Sequence, residues 1–339
     1  MKRKLVLHIG LPKTGSTAIQ TFLSRNQPRL LGSAIDYLAI SQFEEGRKGA
    51  IASGNGAHLA RAMLNPKDQA FLPWDDARAS AAFLSAAERS AADTLLLSSE
   101  LFAMATPDGW SRLLEVAAQA ELDLSIVAVV RNHCDFLSSS YIQAVKRHCI
   151  VQPPATFIRD FIQHNRYLRY GAFFRDLKAR THARMNLLSF DAAFAQGRLM
   201  QDFLAAIGAP SEGMDGGGAR INISPAPEEV AFLRICNRYE PRMNFSDVLA
   251  RVAPGTEPEA APWTVVEPQL AQEIRADFAD DTRALLDDFS LGPDFFAPPC
   301  ANYIDIEDIA ADPAMSIRVL ARYLVAFDHV IHRPMQKSA

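Results

Sequence analysis

Apolar residues fall into two kinds of pattern along this chain. Short, mainly apolar runs occur at Leu5–Ile9 (broken by His8), Leu95–Leu97 (within 94–98), Ile126–Val130 (within 125–130) and 185–190 (broken by Asn186 and Ser189), each closed by turn-forming or polar residues. Runs of this length and continuity predict strands buried on both faces. Between them the apolar positions recur at helical spacing: Ser16 to about Leu31, a segment around Asp75 to Ala92, Gly109–Ala120, 135–148 and 154–180. The rest of 33–90 reads as helix and loop. Strands alternating with helices predict an α/β fold whose central parallel sheet carries helices on both faces.

Beyond Pro225 the strand runs stop. Glu228–Tyr239 and Gln269–Phe289 predict helices, and the prolines between Pro254 and Pro268 mark a loop. A last helix over Ala314–Ile331 places Ile317, Leu320, Leu324, Phe327, Val330 and Ile331 at helical spacing. The expected organisation is one large domain over 1–296 and a helical tail over 297–339 packed on it.

With 339 residues, 49% of them hydrophobic, the chain is long enough for such a domain. A net charge of −4 argues against a protein that coats nucleic acid, which needs a basic excess. Its local patch Lys146-Arg147-His148 reads as a solvated helix end. No apolar stretch approaches the ~18 residues of a membrane span. Met1-Lys2-Arg3-Lys4 resembles the start of a signal peptide, but the apolar run after it is too short for a signal core, and its cleavage would remove the first strand. A cytoplasmic location is therefore expected. Cys134, Cys149, Cys236 and Cys300 show no C-x-x-C spacing, which argues against a zinc site or a disulfide scaffold.

Candidate chemistry sits at strand ends. After Leu5–Ile9 comes Gly10-Leu11-Pro12-Lys13-Thr14-Gly15-Ser16-Thr17. Glycines allow a sharp turn and close approach of the backbone to an anion, and the following helix aims N–H groups at it. Lys13 adds a mobile cation, and Ser16 and Thr17 add hydroxyl donors. A nucleoside-triphosphatase loop would carry its lysine directly after the second glycine. Here that slot is Ser16, and the lysine precedes Gly15 by two positions. The run 125–130 ends at Arg131, and Ser139 lies about two helical turns further on, so a guanidinium fork and a hydroxyl are predicted to converge on one phosphate. The run 94–98 terminates in Ser99-Glu100, a strand-end carboxylate suited to act as a base on a hydroxyl nucleophile. His58, in a loop that feeds a helix, is the rival base.

These motifs resemble those of the sulfotransferases that use 3′-phosphoadenosine 5′-phosphosulfate (PAPS), with features of the carbohydrate-modifying branch at Tyr141 and Gln143. The resemblance spans 1 to about 296 and is strongest at the two phosphate segments. It implies the P-loop-like sulfotransferase fold. Gly10, Pro12, Lys13, Thr14, Gly15, Ser16 and Thr17 would hold the 5′-phosphosulfate, and Arg131 and Ser139 the 3′-phosphate. Arg220, in Arg220-Ile221-Asn222-Ile223-Ser224, would fold over the adenosine end. The implied reaction is metal-free, in-line sulfuryl transfer to a hydroxyl acceptor, a carbohydrate or other cell-envelope alcohol, with Lys13 and either Glu100 or His58 as catalytic groups. A magnesium-dependent phosphotransferase and a non-catalytic nucleotide binder remain as alternatives.

Overall fold

The computed structural model describes residues 2–48, 53–65, 76–215, 225–240 and 262–331. The chain forms two compact units: one from Met1–Asn132, Arg166–Ile221 and Phe278–Ala297, the other from His133–Asn165, Asn222–Asp277 and Pro298–Ala339.

The first unit holds the sheet. Its elements in order are β1 (Arg3–Gly10), α1 (Ser16–Arg25), α2 (Gln27–Gly32), β2 (Ile35–Tyr37), α3 (Phe43–Arg47), α4 (Ala57–Ala62), α5 (Asp76–Arg89), β3 (Thr94–Ser99), α6 (Pro107–Gln119) and β4 (Leu122–Val130). The strands run parallel in the order β2-β3-β1-β4-β5, where β5 is Arg184–Ser189. The chain thus winds to one edge through β2 and β3, then crosses β1 to add β4 and β5 at the other. The switch in direction falls at β1, and the carboxyl end of such a strand is where open α/β sheets bind ligands.

Side-chain alternation explains why the strands read as continuous apolar runs. Leu5, Leu7 and Ile9 face one side and Val6 and His8 the other, and all are buried. On the second face Val6, Leu96, Val127 and Val129 pack with Ile19, Phe22 and Leu23 of α1 and Phe203 and Leu204 of a later helix. Each such side chain contributes about 1.5–3 kcal/mol of burial. The Arg3 guanidinium donates to the carbonyls of Ala87, Ser90 and Ala92, which fixes the end of α5 beside β1.

The second unit is helical: α7 (His133–His148), α8 (Pro154–His164), α12 (Pro227–Tyr239), α14 (Ile306–Ala311) and α15 (Pro313–Ile331), with the first part of α13 (Pro268–Asp288). Here α12 packs against α7, α14 and α15, and its buried Arg234 pairs with Glu307 at 2.7 Å. Back in the first unit are α9 (Tyr170–Thr181), α10 (Phe190–Ala195) and α11 (Leu199–Ile207). Among the described residues no helix is long and apolar enough to cross a membrane.

Two helices expected to be continuous are each interrupted at an asparagine. The helix from Ser16 stops at Asn26, whose side-chain amide donates to the Phe22 carbonyl at 3.0 Å, and Pro28 then opens α2. The helix expected over 154–180 breaks at Asn165, which bonds Phe161 in the same way at 2.7 Å. In both, a side chain competes with the backbone for the helix's own carbonyl.

Candidate active site

The loop after β1 is tightly determined. A Cβ on Gly10 would stand 2.7 Å from Ser16 Oγ and 3.2 Å from Glu100 Cγ, so only glycine lets those side chains come over the strand end. Gly15 caps α1 with φ 81°, and a Cβ there would meet Leu199 at 2.8 Å and Phe190 at 3.2 Å. Lys13 itself has φ 64°, in the left-handed region. The hydroxyls of Thr14 and Ser16 both donate to the Leu11 carbonyl, at 2.6 and 3.1 Å. Pro12 and Thr17 are partly buried. No side chain caps α1 at Gly15 and no acid occupies its first turn. The leading amides and positive end of the helix are therefore suited to an anion.

Register brings Glu100 to this loop. Ile9 pairs with Ser99, the last residue of β3, so Glu100, the residue after it, stands beside Gly10. The Ser99 hydroxyl accepts the Leu101 N–H at 3.2 Å and turns the chain into a short 3-10 helix, Glu100–Met104. Burial pushes the Glu100 carboxyl up to about 7, against the downward pull of the Lys13 charge and of a hydrogen bond with Ser16. Lys13, Ser16 and Glu100 thus form one electrostatic group. Tyr167 lies within the field of Glu100: burial, and then that carboxylate, hold its phenol above the usual range.

Arg131 joins from β4. Gly10 pairs with Val129, so Arg131 emerges at the same sheet edge. Its Nη1 donates to the Lys13 carbonyl at 3.3 Å, and its guanidinium lies 5.0 Å from the centre of the Phe190 ring. Asp191, in the first turn of α10, faces its Nε.

The other predicted residues are placed differently. His58 stands in the first turn of α4, which is tied to β3 by the Gly56 N–H to the Ser98 carbonyl at 3.0 Å. Burial, then Arg61 and Arg78, hold the His58 imidazole below its usual value, with Glu45 opposing. The charges that act on it are thus distinct from those that act on Glu100. Ser139 is a partly buried residue of α7, in the second unit. Arg220 lies outside the described residues.

No protein-family model matches the chain, and no curated protein matches it. The chemistry is therefore read from the site's own residues. Tyr167, Phe190 and Asp191 were missed from sequence. Phe190 and Asp191 stand at the end of a strand run, but the register that brings them level with Arg131, Val130 paired with Ser189, is visible only in the structure.

Proposed function

We propose that this chain is a PAPS-dependent sulfotransferase, acting on a hydroxyl of a carbohydrate or other cell-envelope alcohol. The observation that carries this reading is the convergence of Glu100 and Ser16 over Gly10, beside Lys13 at the head of an anion-binding turn, where burial raises the carboxyl to about 7. A carboxyl poised near neutrality suits the removal of a proton from an attacking alcohol. A lysine placed before the second glycine, with Arg131 against its carbonyl, suits a donor carrying charge at both ends.

In the reaction the acceptor oxygen bonds to sulfur as the bond from sulfur to the bridging phosphate oxygen breaks. The acceptor proton passes to Glu100, and adenosine 3′,5′-bisphosphate leaves. Lys13 and the amides of Gly15–Thr17 stabilise charge that builds on the bridging and sulfuryl oxygens. Glu100 is the preferred base over His58, because Lys13 and Ser16 act on Glu100 directly.

The test is transfer of radiolabelled sulfate from PAPS to a panel of alcohols and saccharides, run beside ATP with magnesium. Label is expected in a hydroxyl acceptor, and Lys13→Ala is expected to slow transfer by about 10²–10³-fold. Phosphoryl transfer from ATP, nucleotide binding without turnover, or full activity of Lys13→Ala would each overturn the reading.

A further inference from the structure

Asp191 begins a line of contacts that ends at the backbone of Lys13. It lies two residues past the end of β5, in the first turn of α10, and its side chain is only 8% exposed. Oδ2 accepts the Asn132 backbone N–H at 2.6 Å, while Oδ1 lies 3.4 Å from Arg131 Nε. That Nε makes no hydrogen bond, so charge rather than alignment holds this edge of the guanidinium. The other edge reaches away, with Nη1 on the Lys13 carbonyl at 3.3 Å. The Phe190 ring covers the guanidinium face, and the Tyr170 hydroxyl donates to the Arg131 carbonyl at 3.1 Å. Arg131 is thus fixed in backbone, face and edge.

What this fixation holds is a conformation that does not persist by itself. A lysine at φ 64° sits in a region that side chains disfavour and that survives only where neighbours impose it. Contacts that brace it here include the Thr14 hydroxyl on the Leu11 carbonyl and the Arg131 guanidinium on the Lys13 carbonyl. The second depends on the direction of Arg131, and Asp191 supplies a charge opposing that guanidinium along its Nε edge.

The geometry points to Asp191 as a positioning residue. It aims Arg131 at the Lys13 carbonyl, and so keeps the Lys13 peptide in the left-handed turn that holds its ammonium in reach of Glu100. This rests on Lys13 being the cation of the proposed transfer. Arg131 is then a strut of the catalytic loop as well as a ligand for a donor phosphate.

Asp191→Asn separates the roles, since it keeps an oxygen for the Asn132 N–H and removes the charge facing Arg131. In the full-length protein it is expected to lower kcat at least tenfold at saturating PAPS, with the melting temperature little changed. Asp191→Glu, which restores the charge, is expected to recover part of that loss. An unchanged kcat would overturn the inference, as would a loss confined to the KM for PAPS, which would leave Arg131 a phosphate ligand alone. A second measurement needs no sulfuryl transfer. In ¹H–¹⁵N spectra of the protein without ligand, the Thr14 and Gly15 amides are expected to shift in Asp191→Asn and in Arg131→Lys. Amides that stay in place in either folded variant overturn the strut, whatever the donor proves to be. Shifted amides in a protein that transfers no sulfate would uphold it and discard the sulfotransferase reading instead.

Discussion

In the proposed transfer Lys13 couples chemistry to backbone strain, and two substitutions separate them. Lys13→Ala and Lys13→Gly both remove the ammonium, but only glycine accepts φ 64° without cost. Both should lose transfer, while Lys13→Gly should exceed Lys13→Ala in stability by about 1 kcal/mol in urea unfolding. Glu100 gives a pH signature. Its folded value of about 7 stands above an ordinary 4.5, so the base form appears only as pH rises through about 7. The rate kcat/KM should show an acid limb there, absent from the residual activity of Glu100→Gln. The fold favours the neutral carboxyl, so the stability this contributes is present below pH 4.5 and is lost as pH rises through 7. Glu100→Gln should therefore gain stability over the native protein at pH 8 and lose that advantage below pH 4.5. Lys13 and Glu100 were legible in the sequence because glycines and strand ends announce them. Asp191 was not, since an acid in the first turn of a helix is ordinary and its partner is distant in sequence.

Among the elements, Asn55 shows how a loop can substitute for sheet pairing. Its amide donates to the carbonyls of Leu38 and Leu96 at 2.9 and 3.0 Å, and its oxygen accepts the Ser98 N–H at 2.8 Å. Asn55→Ala strips its hydrogen bonds from the Leu96 carbonyl and the Ser98 N–H on the strand that delivers Glu100, while the Leu38 carbonyl keeps the Ile40 N–H. It should cost about 2–4 kcal/mol, read as a lower urea midpoint. The long strands were plain in sequence because they are buried on both faces and so nearly continuously apolar. β2 was not, because Ile35-Asp36-Tyr37 is too short to show a period. The helix breaks at Asn26 and Asn165 were hidden for a related reason: the apolar spacing continues across them, and only the side-chain hydrogen bond stops the helix.

For the whole molecule, a pH-sensitive point of the core is His8. It is fully buried on β1, with Nδ1 2.8 Å from the Ser98 hydroxyl and its ring edge-on to Phe203. Burial lowers its pKa from 6.5 to about 3. The unfolded chain takes up the proton first, so this contribution to stability is complete above pH 6.5 and is lost as pH falls toward 3. The slope reaches about 1.4 kcal/mol per pH unit. Between pH 7 and pH 5 the urea midpoint of the native protein should drop further than that of His8→Gln. β1 also imposes an order on biogenesis. It lies at the middle of the sheet, yet Leu5 pairs with Leu95 and Leu124, which the ribosome adds much later. At about 5–20 residues per second the nascent strand waits several seconds or more for both neighbours. Made first of the five strands, β1 gains its two neighbours only when β3 and β4 have been synthesised, so its apolar faces stay uncovered by the sheet throughout that interval.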